Sequence, residues 1–299
     1  MGDAHPESSR CSPSSGPAIV MKDVGVRRHG RDGRPLVLLD RVDWTVGASE
    51  HWVVLGPNGA GKSTLLQLAG GALQPTTGTV HVLGARIGGT DLRDLRERIG
   101  RVDAATARAF KPGFDGLAVV LTGAFGSIAL QRKRLEPRHV ARAHELLALV
   151  GASALADRRY DDCSQGERQR LLLARALMGG EDEPGGEDGV GGPQLLLLDE
   201  PATGLDLPSR ERMLHALVAS ARRSHELPTV TVTHHVEEIP EITTHALLLR
   251  DGRVLAAGPV DRVLASAPVG ACFGIGVEVT RTAGRWAARA VLDDRAVGA

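Results

Sequence analysis

The chain has 299 residues, with 36 Lys and Arg against 36 Asp and Glu, and this zero net charge gives no support to a nucleic-acid partner held by bulk charge. Apolar residues make up 42%, enough for an ordinary core, yet no apolar run approaches the ~18–20 residues of a membrane helix. Three scattered cysteines, Cys11, Cys163 and Cys272, lack C-x-x-C spacing, which argues against a disulfide framework or a zinc site and fits a reducing cytosol.

In chain order, residues 1–17 are rich in Ser, Pro and Gly and read as a disordered tail. The N-terminus has no hydrophobic signal core, so any link to a membrane is expected to run through a partner. Strand-like segments follow at Ala18–Met21, Leu36–Leu39 and Val42–Val46, then a short apolar run at Trp52–Leu55. That run leads into Gly56-Pro57-Asn58-Gly59-Ala60-Gly61-Lys62-Ser63-Thr64, which fits G-x-x-x-x-G-K-[ST], and then a helical segment at Leu65–Gly70. A strand–loop–helix context is what a P-loop requires. Its glycines let the backbone approach a phosphate chain and turn tightly, where a Cβ would block both. The freed N–H groups and the helix N-terminus form a cradle for anionic oxygens. Lys62 is expected to reach the β- and γ-phosphates of a nucleotide, and the Ser63 hydroxyl to ligate Mg²⁺.

Thr79–Gly84 reads as a further strand, and beyond Arg101 helical spacing takes over, so 105–178 reads as a helical subdomain. It contains Val140–Val150 and a helix opened near Gln165 and running to Met178. Ser164 is a plausible N-cap of that helix, and Glu167 completes a capping box. The same turn also offers a second helix N-terminus to a phosphate. One chain does not easily place two such termini on one nucleotide at this separation, whereas a head-to-tail dimer does. Residues 180–193, acidic and Gly-rich, read as a solvated loop insertion. Leu195–Leu198 then form an apolar strand ending in Asp199-Glu200, with Asp199 placed to hold Mg²⁺ and Glu200 to act as general base.

Met213–Val218, Val230–Thr233 and Ala246–Leu249 continue the alternation of helix and strand. The expected fold is α/β: a P-loop core with a parallel sheet, an antiparallel β subdomain and an inserted helical subdomain. It spans 18–265, with one nucleotide-binding unit and no internal repeat. Residues 266–299 form a C-terminal extension with Phe273 and Trp286 but no readable motif.

The P-loop, Cys163–Glu167, Asp199-Glu200, Gly204-Leu205-Asp206 and Thr233-His234 stand in the order found in ATP-binding cassette (ABC) ATPases, and the chain resembles that family over about 18–265. Cys163-Ser164-Gln165-Gly166-Glu167 is similar to the family signature Leu-Ser-Gly-Gly-Gln. Ser164–Glu167, Gly204–Leu207 and Thr233–Ile239 look closest to a single-domain bacterial subgroup described as molybdate-type transport ATPases. The resemblance implies two copies sandwiching two ATP molecules. One copy would supply Lys62, Ser63, Asp199, Glu200 and His234, and the other Ser164 and Gly166. His234 would contact the γ-phosphate and hold the water and Glu200 in line, and Asp206 would link the two sites.

Two departures from the family stand out. The aromatic residue that stacks on adenine is missing, and Arg28 is the candidate, since a guanidinium stacks on a flat base. Ala104 stands where the family has a glutamine near Mg²⁺, with Asp103 or Thr106 as weak substitutes.

The first functional expectation is the cytosolic ATPase subunit of a transporter, peripheral at the inner face of the membrane. It would dock on a permease around Phe110–Phe114 and Gly123–Ile128. The alternative is a soluble ABC ATPase acting on DNA, a ribosome or another protein. A third reading, a slow regulatory nucleotide-binding protein, is motivated by Ala104 and opposed by Glu200.

Overall fold

The computed structural model describes residues 16–29, 33–89, 92–110, 112–179, 192–223 and 227–291. Residues 1–15 of the expected tail, 180–191 of the acidic insertion and 292–299 of the extension lie outside the described residues.

The chain opens with two long strands, β1 (Ile19–His29) and β2 (Pro35–Val46), followed by β3 (His51–Leu55), helix α1 (Lys62–Ala69), β4 (Thr77–Val82) and the short β5 (Ala85–Arg86). An antiparallel sheet has the order β2-β1-β4-β5. The two strands expected at Leu36–Leu39 and Val42–Val46 are one strand. Arg41 sits at φ 50, and the pairing register shifts between Val24↔Val42 and Val26↔Leu39. This irregularity lets Leu39 and Val42 both face the core although they are three residues apart. The alternation breaks there in the sequence, but the strand does not.

Strands β6 (Ile99–Val102), β7 (Leu195–Asp199), β8 (Thr229–Thr233), β9 (His245–Arg250) and β10 (Arg253–Pro259) join β3 in a second sheet of order β10-β9-β3-β8-β7-β6. All neighbours in it are parallel except β10, which runs antiparallel to β9. Leu195 and Leu197 face a core shared with α1, Trp44, Trp52 and the antiparallel sheet. Leu196 and Leu198 face the opposite core. Burial on both faces explains why β7 reads as an unbroken apolar run.

The second core is helical. Helices α2 (Arg93–Glu97), α3 (Ala104–Ala109), α4 (Gly116–Leu121), α5 (Pro137–Leu149), α6 (Gln165–Ala176) and α7 (Leu207–Arg223) follow in order, with α4 to α7 supplying half of its buried side chains. Phe110 is buried there against Tyr160, and Phe114 is half-buried against it. The expectation that Phe110–Phe114 present a docking surface therefore fails for these rings, because the helical core takes them for packing. The C-terminal extension is likewise part of the body. After α8 (Val260–Val263), helix α9 (Ser266–Phe273) and a hairpin of β11 (Val277–Thr282) and β12 (Arg285–Ala290) build a third core. Cys272 and Trp286 are buried in it with Val53 and Leu55 of β3.

Candidate nucleotide site

Strand β3 delivers the chain to the P-loop at the carboxyl end of the parallel sheet. A Cβ on Gly56 would lie 2.0 Å from the Leu249 carbonyl oxygen, and one on Gly61, at φ +102, would lie 2.6 Å from that of Leu38. Both positions require glycine. The loop is locked from behind, where Gly252 N–H donates to the Ala60 carbonyl at 3.0 Å. Asn58 and Gly59 are exposed at the rim, and Pro57 and Thr64 are half-buried. Helix α1 starts at Lys62, so its first N–H groups have no intrahelical acceptor and face the loop.

Lys62 is buried, and its Nζ donates to the carbonyls of Gly56 at 2.7 Å and Pro57 at 3.0 Å. Two of its three donors are thus held on the loop that it closes. Burial lowers its pKa, against the raising effect of Glu200 and Asp199. Ser63 Oγ donates to Asp199 Oδ1 at 3.2 Å, so helix α1 and strand β7 present a hydroxyl and a carboxylate side by side. Burial raises the Asp199 pKa, and the charges of Glu200 and Asp103 add to the rise while the Ser63 bond opposes it.

Glu200 follows at φ 49, a left-handed conformation that is uncommon for a residue with a side chain. Its Oε1 lies 2.9 Å from His234 Nδ1, and its Oε2 accepts from Thr203 Oγ1 at 3.3 Å. His234 comes from the end of β8, the neighbour of β7 in the sheet. Two strand ends 34 residues apart in sequence are thereby brought into contact. The loop carrying His234 is itself anchored. Thr233 Oγ1 donates to the buried Glu238 carboxylate at 2.5 Å and accepts from His235 N–H at 3.1 Å. His235 is exposed, with its ring 4.0 Å from that of His234.

Ser164 caps α6 as the sequence implies. Its Oγ accepts from Glu167 N–H at 3.3 Å, and Glu167 Oε2 accepts from Ser164 N–H at 2.8 Å. Ser164 is exposed, and among the described residues no hydrogen bond or ion pair joins Ser164 or Gly166 to Gly56–Thr64. Gly166 instead packs against Ser209, and Gln165 Nε2 donates to the Thr203 carbonyl at 2.9 Å. Arg28 is exposed on β1, opposite Leu36 in the pairing register. Asp103 and Thr106 are engaged with each other. Asp103 caps α3 by accepting from Thr106 N–H at 2.7 Å and pairs with Arg101 at 2.9 Å. Burial pushes the Asp103 carboxyl up, but the Thr106 bond and the Arg101 charge outweigh it, and its pKa is lowered. Ala104 is exposed at the start of that helix.

Sequence reasoning missed Thr203 and Glu238 as supports of the Glu200–His234 pair. Thr203 gave no signal. Glu238 lies in an acidic run, Glu237-Glu238, whose second member is buried, and burial of a carboxylate becomes legible only with its Thr233 partner in place.

A P-loop with its lysine, a hydroxyl–carboxylate pair and a carboxylate–histidine pair at adjacent strand ends fit a nucleoside triphosphate and its hydrolysis. The family described as ABC transporter matches residues 39–203. The ABC transporter ATP-binding protein YlmA of Bacillus subtilis is 37% identical over 263 residues, covering 87% of this chain and 92% of its own length. YmeB of Lactococcus lactis, with the same description, is 34% identical over 246 residues, covering 82% and 88%. Other relatives are named for phosphonate, methionine and hemin import, at 32–35% identity, and ModF of Escherichia coli is 30% identical. Among solved structures, a dimeric bacterial ABC transporter cassette superposes with a TM-score of 0.67 at 24% identity, covering 81% of this chain and 98% of that one, a likeness of fold. The chain is an ATPase and belongs to the ABC transporter ATP-binding family.

Proposed function

We propose that two copies of this chain close head to tail around two ATP molecules and drive a membrane permease. The observation that carries this reading is the Glu200–His234 pair, 2.9 Å apart beside the P-loop, in a chain whose exposed signature turn at Ser164 makes its side-chain hydrogen bonds to Glu167 and, among the described residues, none to Gly56–Thr64. Residues Gly56 to Thr64 cradle the phosphates, and Lys62 turns from its carbonyls to the β- and γ-oxygens. Ser63 and Asp199 are hard oxygen donors suited to Mg²⁺, which would neutralise charge on those oxygens when bound. Glu200 accepts the proton of the attacking water, and His234 holds Glu200 and meets the γ-phosphate. Ser164 and Gly166 of the second copy complete the γ-phosphate contacts, and Arg28 stacks on the base.

A cleft of about 330 Å³ between β6, α3 and the Gly123–Ile128 segment supports permease docking there. It is lined by Ala105, Thr106, Gly126, Ile128 and Arg175. Among the described residues no helix is long and apolar enough to cross a membrane. In this reading the chain meets the membrane through that partner, from its cytosolic face. Within the family we propose the molybdate-type subgroup on Ser164–Glu167, Gly204–Leu207 and Thr233–Ile239, a label that names no cargo.

The test is crosslinking and recovery of the tagged Glu200→Gln protein with Mg²⁺ and ATP, from membrane and soluble fractions. An ATP-dependent dimer recovered with an integral membrane protein is the expected result. A dimer found only in the soluble fraction, with ribosomes or DNA, overturns transport in favour of a soluble ATPase. Persistent wild-type turnover overturns the catalytic assignment.

A further inference from the structure

The hairpin β11–β12 lies beyond the segment matched by the family, 39–203, yet it reaches two elements of the nucleotide site. Arg285, the first residue of β12, donates from Nη1 to Glu211 Oε2 at 2.7 Å and from Nη2 to Glu211 Oε1 at 3.1 Å. The same Nη2 donates to the Glu237 carbonyl at 3.0 Å. Three residue pairs further along the hairpin, Ala288 N–H donates to Glu237 Oε1 at 3.3 Å.

These partners belong to the elements that follow Glu200 and His234 in the chain. Glu211 is on α7, one turn after Asp206, whose Oδ1 accepts from Ser209 N–H at 3.0 Å. Glu237 belongs to the 3-10 turn Val236–Glu238, directly after His234 and His235. The next residue, Glu238, holds Thr233 at 2.5 Å. The guanidinium therefore ties the far end of the His234 loop to the helix that follows Gly204-Leu205-Asp206. The hairpin is a firm base for such a tie. Trp286 is buried in the third core, Arg281 lies 5.0 Å over its ring, and Val279 N–H donates to Ser266 Oγ at 2.9 Å. A half-exposed ion pair adds little stability by itself. A planar fork that also holds a backbone carbonyl fixes geometry, which a single point charge does not.

We infer that Arg285 is a positioning residue for ATP hydrolysis, acting through Glu211 and Glu237 to hold the His234 loop against Glu200. The inference rests on the roles proposed above for Glu200 and His234.

The experiment is steady-state ATP hydrolysis by the full chain for Arg285→Ala, Glu211→Ala, the double variant and Arg285→Lys, with melting midpoints measured alongside. Arg285→Ala is expected to lower kcat by about 10- to 100-fold, the scale of a small misplacement of catalytic groups. The KM for ATP should stay within about twofold, because the P-loop is untouched. Glu211→Ala should lower kcat in the same direction, and the double variant should lose no more than Arg285→Ala alone. Arg285→Lys should stay impaired, since one ammonium cannot reproduce the fork. Unchanged kcat in Arg285→Ala, additive losses in the double variant, or full recovery by Arg285→Lys would each overturn the inference. If Arg285→Ala does not fold, Arg285→Lys and Glu211→Ala decide by the same criteria. Glu200→Gln and His234→Ala serve as controls. If both turn over ATP at the wild-type rate, the underlying catalytic reading fails. If they are inactive while Arg285→Ala is normal, only the positioning role fails.

Discussion

At the residue scale, two carboxylates side by side in sequence have different surroundings. Glu200 is turned by a positive φ toward His234, whereas Asp199 is drawn under Ser63. Replacing Glu200 by Gln keeps the shape but removes the proton acceptor. Turnover is expected to fall by about 10²-fold or more, measured as phosphate release, while ATP still protects the chain from unfolding. Asp199 leads to a stability prediction. Its pKa in the folded chain is raised above the ordinary 3.8 by burial, so the folded state holds the proton more tightly than the unfolded chain. Its contribution is therefore favourable at acid pH and is lost as pH rises through the folded value. Asp199→Asn should melt higher than wild type at pH 7 without nucleotide, with the gain shrinking as pH falls toward 3.8. The same variant should lose Mg²⁺-dependent turnover.

At the element scale, helix α6 carries two separable tasks. Its capping box stabilises the helix, and its exposed start is the proposed contact to the second nucleotide. Ser164→Ala should cost about 1 kcal/mol as a lost cap, read by denaturant unfolding. A merely structural role would leave turnover of the folded protein intact, but a tenfold or larger fall is expected from the lost phosphate contact. Cys163, one residue before the cap, is buried and has its pKa raised by burial first and Glu167 second. Cys272 on α9 is buried too, and burial also raises its pKa. Both thiols should resist alkylation at pH 8 in the folded chain and label only on denaturation, as shown by mass spectrometry. The strand β2 gives the complementary lesson about elements. Its apolar alternation changes phase at Arg41, and only the pairing with β1 shows that one bulged strand, not two, spans Pro35–Val46.

At the scale of the whole molecule, the sheet gathers the site from distant parts of the sequence. P-loop, Asp199, Glu200 and His234 converge because β3, β8 and β7 are parallel neighbours whose carboxyl ends share one edge. The proposed dimer supplies the opposite wall. Leu207, 62% exposed beside Asp206, is a large apolar side chain left on the surface at the start of α7. Leu207→Asp should leave the melting midpoint of the nucleotide-free chain nearly unchanged. It should weaken the ATP-dependent dimer of the Glu200→Gln protein, measured by sedimentation.

The P-loop, the capping box at Ser164 and the Asp199-Glu200 strand were legible in the sequence because each depends on neighbours within a few residues. A glycine is required where backbones crowd, a hydroxyl caps the helix it begins, and an apolar run marks a strand buried on both faces. The clasp of Glu238 on Thr233 and the fork of Arg285 on Glu211 were not legible, because each joins residues that meet only when separate elements pack, and the 2.9 Å contact of Glu200 with His234 was expected from the family resemblance alone, not from local pattern. The same holds for Phe110 and for the extension around Trp286. Their burial was decided by which face the helical core and β3 left to be covered, and local pattern carries no record of that.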